Sequence, residues 1–334
     1  MKIFITGGAG YIGTHTCVEL LQKGYDLVVY DNFSNSSAEA IRRVESITGK
    51  TLTLIIGDIR DEDTMMAAME GCDAVIHLAG LKAVGESVEK PLDYYDNNVH
   101  GTLCLLRAMK INNIKTLVFS SSATVYGNPI ELPFTERHPL QPTNPYGQTK
   151  LVVEEILRDL YRSDNSWKII ILRYFNPVGA HPSGLIGENP QGIPNNLMPY
   201  IAQVAIGRRE FLNVFGNDYP THDGTGVRDY IHIVDLAQGH IKALEALELP
   251  QCTPINLGTG QGYSVLDIVK AFSNASRKEV PYIIAPRRPG DIAEFYADPS
   301  FAQEFIQWSA SKSLEDMCRD TWNFQFKNPD GYRL

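Results

Sequence analysis

The stretch Ile5-Thr-Gly-Gly-Ala-Gly-Tyr-Ile-Gly13 decides the fold of this 334-residue chain. Its glycines recur at three-residue spacing, at Gly7, Gly10 and Gly13, between an apolar run and a helical pattern. Glycine permits a sharp turn, a close approach of the backbone to a diphosphate, and tight packing of helix on sheet. The helix that follows offers unpaired N–H groups to phosphates. The stretch therefore predicts a strand–turn–helix unit that binds a dinucleotide, in preference to a plain tight turn.

Apolar runs and helical patterns alternate through the first half of the chain. The predicted strands span residues 3–6, 27–30, 52–56, 74–77, 116–120 and 168–173, with helices such as 11–23, 97–110 and 146–161 between them. Strands separated by helices imply a parallel sheet with helices on both faces. The predicted fold class is α/β: a Rossmann doubly wound parallel sheet followed by a smaller C-terminal lobe of mixed α/β structure.

The pattern changes near residue 177, where proline and glycine cluster and the elements become shorter. We therefore expect a nucleotide-binding Rossmann domain at residues 1–177 and a substrate-binding lobe at residues 178–334. Part of the strand–helix pattern in residues 229–257 could return to the first domain.

Composition narrows the choice of partner and compartment. The net charge is −9, whereas a protein that binds nucleic acid or an anionic membrane needs a concentrated basic surface. The five cysteines are scattered without CxxC spacing, which fits reduced thiols. The chain shows no leader pattern at its start and no apolar run near the ~18 residues of a membrane span. We expect a cytoplasmic protein with neither nucleic acid nor membrane as partner.

Two carboxylates follow predicted strands near the glycine-rich turn. Asp31 ends the second strand, where a carboxylate can accept hydrogen bonds from the adenine ribose hydroxyls and would repel a 2′-phosphate. It could also cap the helix that follows, but its position favours NAD over NADP. Asp58 lies just past the third strand, where it could meet the adenine edge or cap the helix that begins near residue 61.

A second motif begins a helix at the same edge of the sheet. In Asn144-Pro-Tyr-Gly-Gln-Thr-Lys150, the asparagine is a good N-cap and proline suits the first helical position. Tyr146 and Lys150 are then four residues apart and share one face. A tyrosine titrates near about 10, so use as a base at neutral pH requires positive charge from the ammonium and a nicotinamide ring. Lowering the pKa by about three units takes roughly 4 kcal/mol.

A run of serines ends the fifth predicted strand, within Phe119-Ser-Ser-Ser-Ala-Thr-Val-Tyr126. Ligands bind at the carboxyl edge of open α/β sheets. Tyr146 and Lys150 alone would more often be a core tyrosine and a solvated lysine, but the glycine-rich turn and the serines favour catalysis. We assign to Ser122 a hydrogen bond with the substrate hydroxyl or with Tyr146, although spacing does not choose among Ser120, Ser121 and Ser122.

Longer motifs resemble one family in the extended branch of the short-chain dehydrogenase/reductase superfamily. Ala79-Gly-Leu-Lys-Ala-Val-Gly-Glu-Ser87, Tyr94-Tyr-Asp-Asn-Asn98, Leu172-Arg-Tyr-Phe-Asn-Pro-Val-Gly-Ala-His181 and Gly226-Val-Arg-Asp-Tyr-Ile-His232 are similar to those of the UDP-glucose 4-epimerase family. The resemblance runs over nearly the whole chain. It implies that the first domain binds NAD, that the C-terminal lobe binds a UDP-sugar, and that the protein is a homodimer.

The resemblance also implies which residues touch each ligand. Besides the three glycines, the NAD set is Tyr11, Ile12, Asp31, Asn32, Phe33, Ser34, Asn35, Ser36, Asp58, Ile59, Leu78, Ala79, Gly80, Leu81, Lys82, Asn97, Ser120, Tyr146, Lys150 and Phe175. The substrate set is Lys82, Ser122, Tyr146, Asn176, Asn196, Leu197, Asn213, Val214, Phe215, Arg228, Tyr230, Arg288, Asp291 and Phe295. Two arginines in this set suit bidentate contacts with a diphosphate.

The implied reaction is an isomerisation of UDP-glucose and UDP-galactose. Tyr146 takes the proton of the sugar C4 hydroxyl while hydride passes to the nicotinamide, and the 4-keto sugar turns before both return. Phe295 stands where the family often carries tyrosine. A small residue there would leave room for a 2-acetamido group, so Phe295 predicts a preference for sugars without it.

Other functions remain as alternatives. A nucleotide-sugar 4,6-dehydratase needs an acid and a base where this chain has Ala123 and Thr124, which cannot transfer protons near neutral pH. An epimerase of another UDP-sugar, such as a uronate or an N-acetylhexosamine, stays open, as does a non-catalytic NAD-sensing protein. His222 and Asp223, with Asp218, match no zinc or EF-hand spacing, so no metal is expected.

Overall fold

A computed structural model describes residues 1–190, 192–288 and 290–332 of the chain. In chain order its strands are β1 (Lys2–Thr6), β2 (Asp26–Asp31), β3 (Thr53–Ile56), β4 (Ala74–His77), β5 (Thr116–Ser122), β6 (Lys168–Tyr174), β7 (Asn176–Val178), β8 (Leu212–Phe215), β9 (Val227–His232), β10 (Gln251–Leu257), β11 (Gly262–Ser264), β12 (Tyr282–Ala285) and β13 (Glu294–Phe295). The α-helices are α1 (Tyr11–Gln22), α2 (Ala38–Thr48), α3 (Glu62–Ala68), α4 (Val84–Glu89), α5 (Pro91–Tyr94), α6 (Gly101–Ile111), α7 (Pro145–Ser163), α8 (Leu197–Ala205), α9 (Ile233–Glu245), α10 (Val265–Ser276), α11 (Ser300–Ile306) and α12 (Leu314–Lys327).

The large sheet has seven parallel strands in the order β10-β6-β5-β4-β1-β2-β3. Each of the six predicted strands is present, and the predicted Rossmann-type α/β fold is confirmed. Several strands run further than predicted; among them, β5 continues to Ser122 and β6 to Tyr174. The extension of β5 brings the whole serine run into the sheet edge.

Helices cover both faces of this sheet. One core cluster packs α1, α2 and α9 against residues such as Ile5 and Val29, and the other packs α3, α6 and α7 against residues such as Phe4 and Phe119. All four of these side chains are almost completely buried. Burial on two faces explains why the strands are nearly continuous apolar runs.

The C-terminal part of the chain contributes to both halves of the molecule. β9 pairs with β7, β11 and β13, and β8 pairs with β12, in two small sheets that pack with α8, α10 and α12 around a third core cluster. By contrast, β10 pairs with β6 as an outer strand of the large sheet, and α9 packs on α1. Residues 233–257 thus cross back onto the nucleotide-binding half.

The helix that carries Tyr146 forms as its sequence indicates. Asn144 Oδ1 accepts a hydrogen bond from Gly147 N at 2.9 Å, and Pro145 occupies the first position of α7. The helix predicted at residues 97–110 is not a single α-helix in the structure, because a π-helix at Tyr95–His100 precedes α6. Such segments are rare and occur frequently at functional sites.

Within the described ranges, no helix combines the length and apolarity that a membrane span requires.

Candidate active site

A deep cleft opens at the carboxyl edge of the large sheet. Its cavity volume is about 300 Å³, at the lower end of the roughly 300–1,000 Å³ that is usual for a ligand pocket. Much of the predicted cofactor set lines it: Gly7, Gly10, Tyr11, Ile12, Gly13, Asp31, Asn32, Ser34, Asn35, Ser36, Ile59, Leu78, Ala79, Gly80, Leu81, Lys82 and Asn97. The substrate candidate Asn196 lines the same cleft.

The glycine-rich turn forms one end of the cleft. Gly7 has a φ of 68°, and a Cβ there would lie 2.7 Å from Ala79 N. At Gly13 a Cβ would lie 2.3 Å from Gly7 O, so a side chain at either position would displace backbone. No side chain caps the N-terminus of α1. The turn therefore leaves the first N–H groups of this helix available for a diphosphate.

Asp31 braces this turn from the end of β2. Its carboxylate accepts hydrogen bonds from Ala9 N at 3.0 Å, Phe33 N at 2.9 Å and Ser36 Oγ at 2.7 Å. The side chain that caps α2 is Ser37, so Asp31 is not the helix cap. The carboxylate at this edge fits a ribose that lacks a 2′-phosphate. Phe33 itself packs against the core and does not line the cleft.

Asp58 lies between two residues that line the cleft, Gly57 and Ile59. Its carboxylate accepts hydrogen bonds from Arg60 Nε at 2.8 Å and Asn32 Nδ2 at 3.0 Å, and these bonds hold its pKa well below the usual range. The cap of α3 is Asp61, so Asp58 does not serve as that cap. Asp58 thus remains an ionised group at the edge of the cleft.

The floor of the cleft is clamped by the π-helix. Asn98 Oδ1 accepts a hydrogen bond from Leu81 N at 2.8 Å, and its Nδ2 donates to Leu81 O at 3.0 Å. Below this clamp, His77 is bonded to Thr6 and Thr102, and burial lowers its pKa to about 3. His77 is therefore a neutral interior residue rather than a base.

Tyr146, Lys150 and Ser122 come together at the carboxyl end of β5. Lys150 Nζ lies 6.0 Å from the centre of the Tyr146 ring and donates a hydrogen bond to Ser120 O at 2.7 Å. Ser122 Oγ accepts hydrogen bonds from the backbone N–H and the hydroxyl of Thr124. Tyr146 N is held by Ser87 Oγ at 3.1 Å. The end of β5 and the start of α7 thus bring together Ser122, Tyr146 and Lys150, the three residues that the sequence analysis assigned to catalysis.

Burial dominates the protonation of this group. It lowers the pKa of Lys150 to about 8, against the charge of Glu154, which raises it. It raises the pKa of Tyr146, against a hydrogen bond with Ser122, which lowers it. Lys150 alone therefore does not make the phenol acidic. An acidic phenol requires the second positive charge of the prediction, that of a nicotinamide ring.

Charged side chains predicted to hold a diphosphate meet in the second lobe. Arg288 Nε lies 2.8 Å from Asp291 Oδ2, and Arg228 Nη2 lies 3.8 Å from Asp291 Oδ1. The Arg288 guanidinium also lies 5.1 Å from the centre of the half-exposed Phe215 ring. Nearer the large sheet, Asn176 Nδ2 donates to the backbone carbonyl of Asp229. Two guanidinium groups at one carboxylate give a cationic centre for an anion.

An aromatic wall lies beside this centre. The Phe295 ring packs 4.6 Å from that of Phe134 and 5.2 Å from that of Phe175. Phe175 is almost fully buried and belongs to this wall rather than to the lining of the cleft. Phe295 fills the space that a smaller side chain would leave.

Three substrate candidates contribute mainly to packing. Val214 and Tyr230 are buried in the core of the second lobe, and Leu197 packs against the same cluster. The side chains of Val214 and Tyr230 thus lie in the core, and the place of these residues in the substrate set stays a prediction. In β8 every second residue points inward, whereas nearly the whole of β9 is buried.

The second lobe supplies cleft residues that the sequence did not indicate. Glu188 accepts hydrogen bonds from Asn196 Nδ2 at 2.7 Å and from Lys82 Nζ at 3.2 Å, which joins the two lobes. Neighbours of Glu188 and one C-terminal residue also line the cleft: Gly187, Asn189, Pro190, Ile193, Asn195 and Tyr332. They lie in a region of loops far along the chain from the glycine-rich turn.

The described residues include one cluster of potential metal ligands. His222, Asp223 and Asp267 place ligand atoms within 4.8 Å of one another. Asp223 accepts hydrogen bonds from Ser264 and Thr225, and Asp267 completes the capping box of α10. These bonds hold the carboxylates in structural roles. Asp218 pairs instead with Arg287, at 2.6 Å.

The fold and the site together define a dinucleotide-dependent enzyme of the short-chain dehydrogenase/reductase class. Residues 4–321 match the family model described as GDP-mannose 4,6 dehydratase. UDP-glucose 4-epimerase of Bacillus subtilis is 61% identical over 100% of this chain and 99% of its own length. The epimerase of Homo sapiens is 57% identical over 99% of this chain and 98% of its own length.

A solved structure gives the same result. The crystal structure of UDP-glucose 4-epimerase from Bifidobacterium longum in complex with NAD+ and UDP superposes with a TM-score of 0.96, at 55% identity over 99% of this chain and 100% of that chain. The chain belongs to the UDP-glucose 4-epimerase family, which confirms the resemblance.

Proposed function

We propose that this protein interconverts UDP-glucose and UDP-galactose by transient oxidation at sugar C4, with NAD as its cofactor, in galactose metabolism. It is an isomerase, since the sugar is oxidised and reduced once in each cycle. The observation that carries the proposal is the convergence of Tyr146, Lys150 and Ser122 at the end of β5, beside a cleft built for a dinucleotide. We assign NAD to residues 1–177 and the UDP-sugar mainly to residues 178–334.

The residues present fit NAD at three points. The glycine-rich turn excludes side chains, the N-terminus of α1 has no side-chain cap, and Asp31 ends β2. When bound, NAD supplies the acceptor of a hydride from sugar C4 and its later donor. The positive nicotinamide ring also opposes the burial that raises the pKa of Tyr146.

The chain's own side chains carry the proton chemistry. Tyr146 accepts the proton of the C4 hydroxyl, Ser122 orients that hydroxyl, and the Lys150 ammonium stabilises the phenolate by its charge. Tyr146 then returns the proton to the C4 oxygen after the 4-keto sugar has turned. Arg228 and Arg288 hold the diphosphate, so that the sugar can rotate while the nucleotide stays in place.

A two-part assay tests this function. The purified protein is denatured by heat and its supernatant assayed for NAD, and the native protein is incubated with UDP-galactose without added cofactor. We expect released NAD and formation of UDP-glucose. An NAD-sensing protein would release NAD without any conversion. Absence of conversion even with added NAD would contradict the proposal.

Phe295 is expected to select against 2-acetamido sugars. Its ring fills the space beside Phe134 and Phe175. Turnover of UDP-N-acetylglucosamine should therefore be lower than that of UDP-glucose by on the order of 10–200-fold or more, since one extra methylene in a hydrophobic pocket already has an effect of that size. Phe295→Ala should narrow this difference, whereas Phe326→Ala, at an exposed position on α12, should not. Comparable kcat/KM values of the native protein for both sugars would disprove this role.

We also propose a homodimer in the cytoplasm. Leu92 and Val88 are 81% and 63% exposed, next to the half-exposed Tyr95, on the segment that leads into α6. Apolar groups this close together mark an interaction surface, and the family resemblance favours a second copy. The free cysteines support a reducing compartment.

Light scattering tests the dimer. The native protein should have twice its chain mass of 37.2 kDa, and Leu92→Glu should shift it toward one chain mass because a charge would be buried without a partner. Leu249→Glu, at a position that is 74% exposed on a loop, is the matched control. A native protein of one chain mass would rule the dimer out.

A further inference from the structure

A buried row of polar side chains lies behind the catalytic helix. It comprises Ser121 on β5, Arg173 on β6 and Asn256 on β10, which are paired partners across the three strands. Each is at most 1% exposed. Paired residues of neighbouring strands face the same side of a sheet, and here that side packs against α7. The row is polar where the rest of this face is apolar.

Glu154 of α7 binds this row. Arg173 donates to both of its carboxylate oxygens, from Nε at 3.0 Å and from Nη2 at 2.6 Å, and Ser121 Oγ donates at 2.6 Å. Arg158 Nη2 adds a fourth hydrogen bond at 2.6 Å from the side of the solvent. Glu154 is completely buried, so the two-pronged bond with Arg173 fixes both the distance and the rotation of the helix.

The contact lies next to the reacting groups. Glu154 follows Lys150 by one helical turn, and Lys150 follows Tyr146 by one turn, so the three share a face. On β5, Ser121 lies between Ser120 and the substrate candidate Ser122. The carbonyl of Ser120 accepts a hydrogen bond from the Lys150 ammonium. Helix and strand are thus tied by two polar contacts one turn apart.

Stability alone does not account for this arrangement. A buried ion pair loses solvation that its attraction regains only in part, and apolar replacements are often neutral or stabilising. Arg173 Nη1 also donates a hydrogen bond to Tyr126 Oη at 2.9 Å, and Tyr126 Oη in turn donates to Asn256 Oδ1 at 2.6 Å. Every group in the row has a defined partner, so the helix can be seated in one position only.

We propose that Glu154 is a positioning residue, which holds Tyr146 and Lys150 at fixed height and rotation relative to Ser122. The proposal rests on the epimerase function proposed above. The charge of Glu154 also affects Lys150. The titratable groups around Lys150 are Tyr146 and Glu154 on the same helix and His77 on β4. Of these only Glu154 is anionic, so it favours the ammonium form of Lys150.

Two substitutions at Glu154 distinguish the effect of side-chain length from the effect of the negative charge. Glu154→Asp keeps the charge and withdraws the carboxylate by one methylene; Glu154→Gln keeps the length and removes the charge. For both we expect kcat to fall on the order of 10- to 100-fold, the effect of a displaced catalytic group, with KM little changed. In Glu154→Gln the alkaline limb of the kcat profile should also move to lower pH, because Lys150 loses the anion that raises its pKa.

The readouts are kcat per bound NAD, KM for UDP-galactose, the pH profile and Tm. Glu155→Gln removes an exposed carboxylate from the neighbouring position and should match the native protein. If Glu154→Gln does not fold, Ser121→Ala removes one hydrogen bond from the carboxylate without unpairing the ions and should lower kcat about fivefold. A lower Tm with native kcat and pH profile in Glu154→Gln, or native kcat in Ser121→Ala, would overturn the positioning role. An inactive native protein would instead overturn the epimerase function itself.

Discussion

Tyr146→Phe should lower kcat by about 10³-fold, within the 10²–10⁴ range for loss of a general acid–base group, and should leave NAD bound. In the proposed mechanism the phenol accepts the C4 proton and returns it. The ring packs in the same place without its hydroxyl, and Tyr146 N keeps its bond to Ser87 Oγ. The measurements are kcat with UDP-galactose and the NAD released on denaturation.

The matched control is Tyr161→Phe, which makes the same substitution on the same helix, more than three turns further along it than Tyr146. It should retain native kcat. A Tyr146→Phe protein with activity near that of the native protein would mean that another group moves the proton. Loss of NAD from this variant would mean that the phenol holds the cofactor rather than acting on the sugar.

Gly13→Ala should remove the cofactor and with it nearly all activity. The added Cβ would lie 2.3 Å from Gly7 O and 2.6 Å from Gly8 Cα. Both atoms belong to the backbone of the turn, so the turn itself must move, at a cost of roughly 1–3 kcal/mol or more. The displaced turn no longer presents its N–H groups to the diphosphate. We expect the affinity for NAD to fall by about 5- to 150-fold, since each 1.4 kcal/mol is a factor of ten, and the purified variant to retain correspondingly less NAD.

Gly85→Ala serves as the control for this change. A Cβ at Gly85 meets no atom within 4 Å, and alanine in the helix α4 should stabilise it slightly. NAD content and kcat should therefore stay native. If Gly13→Ala retained full NAD, the tight turn would not be the diphosphate site.

The sequence was sufficient wherever local chemistry determines structure. The glycine spacing, the end of β2 at Asp31 and the cap at Asn144 each follow from neighbouring residues, and the structure has them as predicted. The same holds for the spacing of Tyr146 and Lys150, because α7 begins at Pro145. Parallel strands then bring these distant segments to one edge.

Contacts between distant segments could not be predicted in this way. Glu188 reaches Lys82 across 106 positions of the chain, and Arg173 reaches Glu154 from a different strand. Nothing near either residue indicates its partner. Tyr230 was assigned to the substrate from its motif, yet the strand β9 turns its side chain into the core.

The protonation of Tyr146 shows a second limit of local reasoning. The sequence predicts a pKa that Lys150 and the nicotinamide ring lower together, but spacing says nothing about burial, which raises the pKa. Burial lowers the pKa of Lys150 as well, to about 8, and the charge of this lysine does not offset the effect of burial on Tyr146. The chemistry therefore depends on the nicotinamide charge as much as on the side chains.

The most direct test follows the hydrogen at sugar C4. UDP-galactose carrying deuterium at C4 is converted by the native protein in ordinary water, and the UDP-glucose formed is analysed by mass spectrometry and NMR. Transfer to a bound nicotinamide and back predicts that deuterium remains at C4 with inverted configuration. Replacement of that deuterium by hydrogen from the solvent would contradict hydride transfer, and with it the role given to Tyr146 and the cleft.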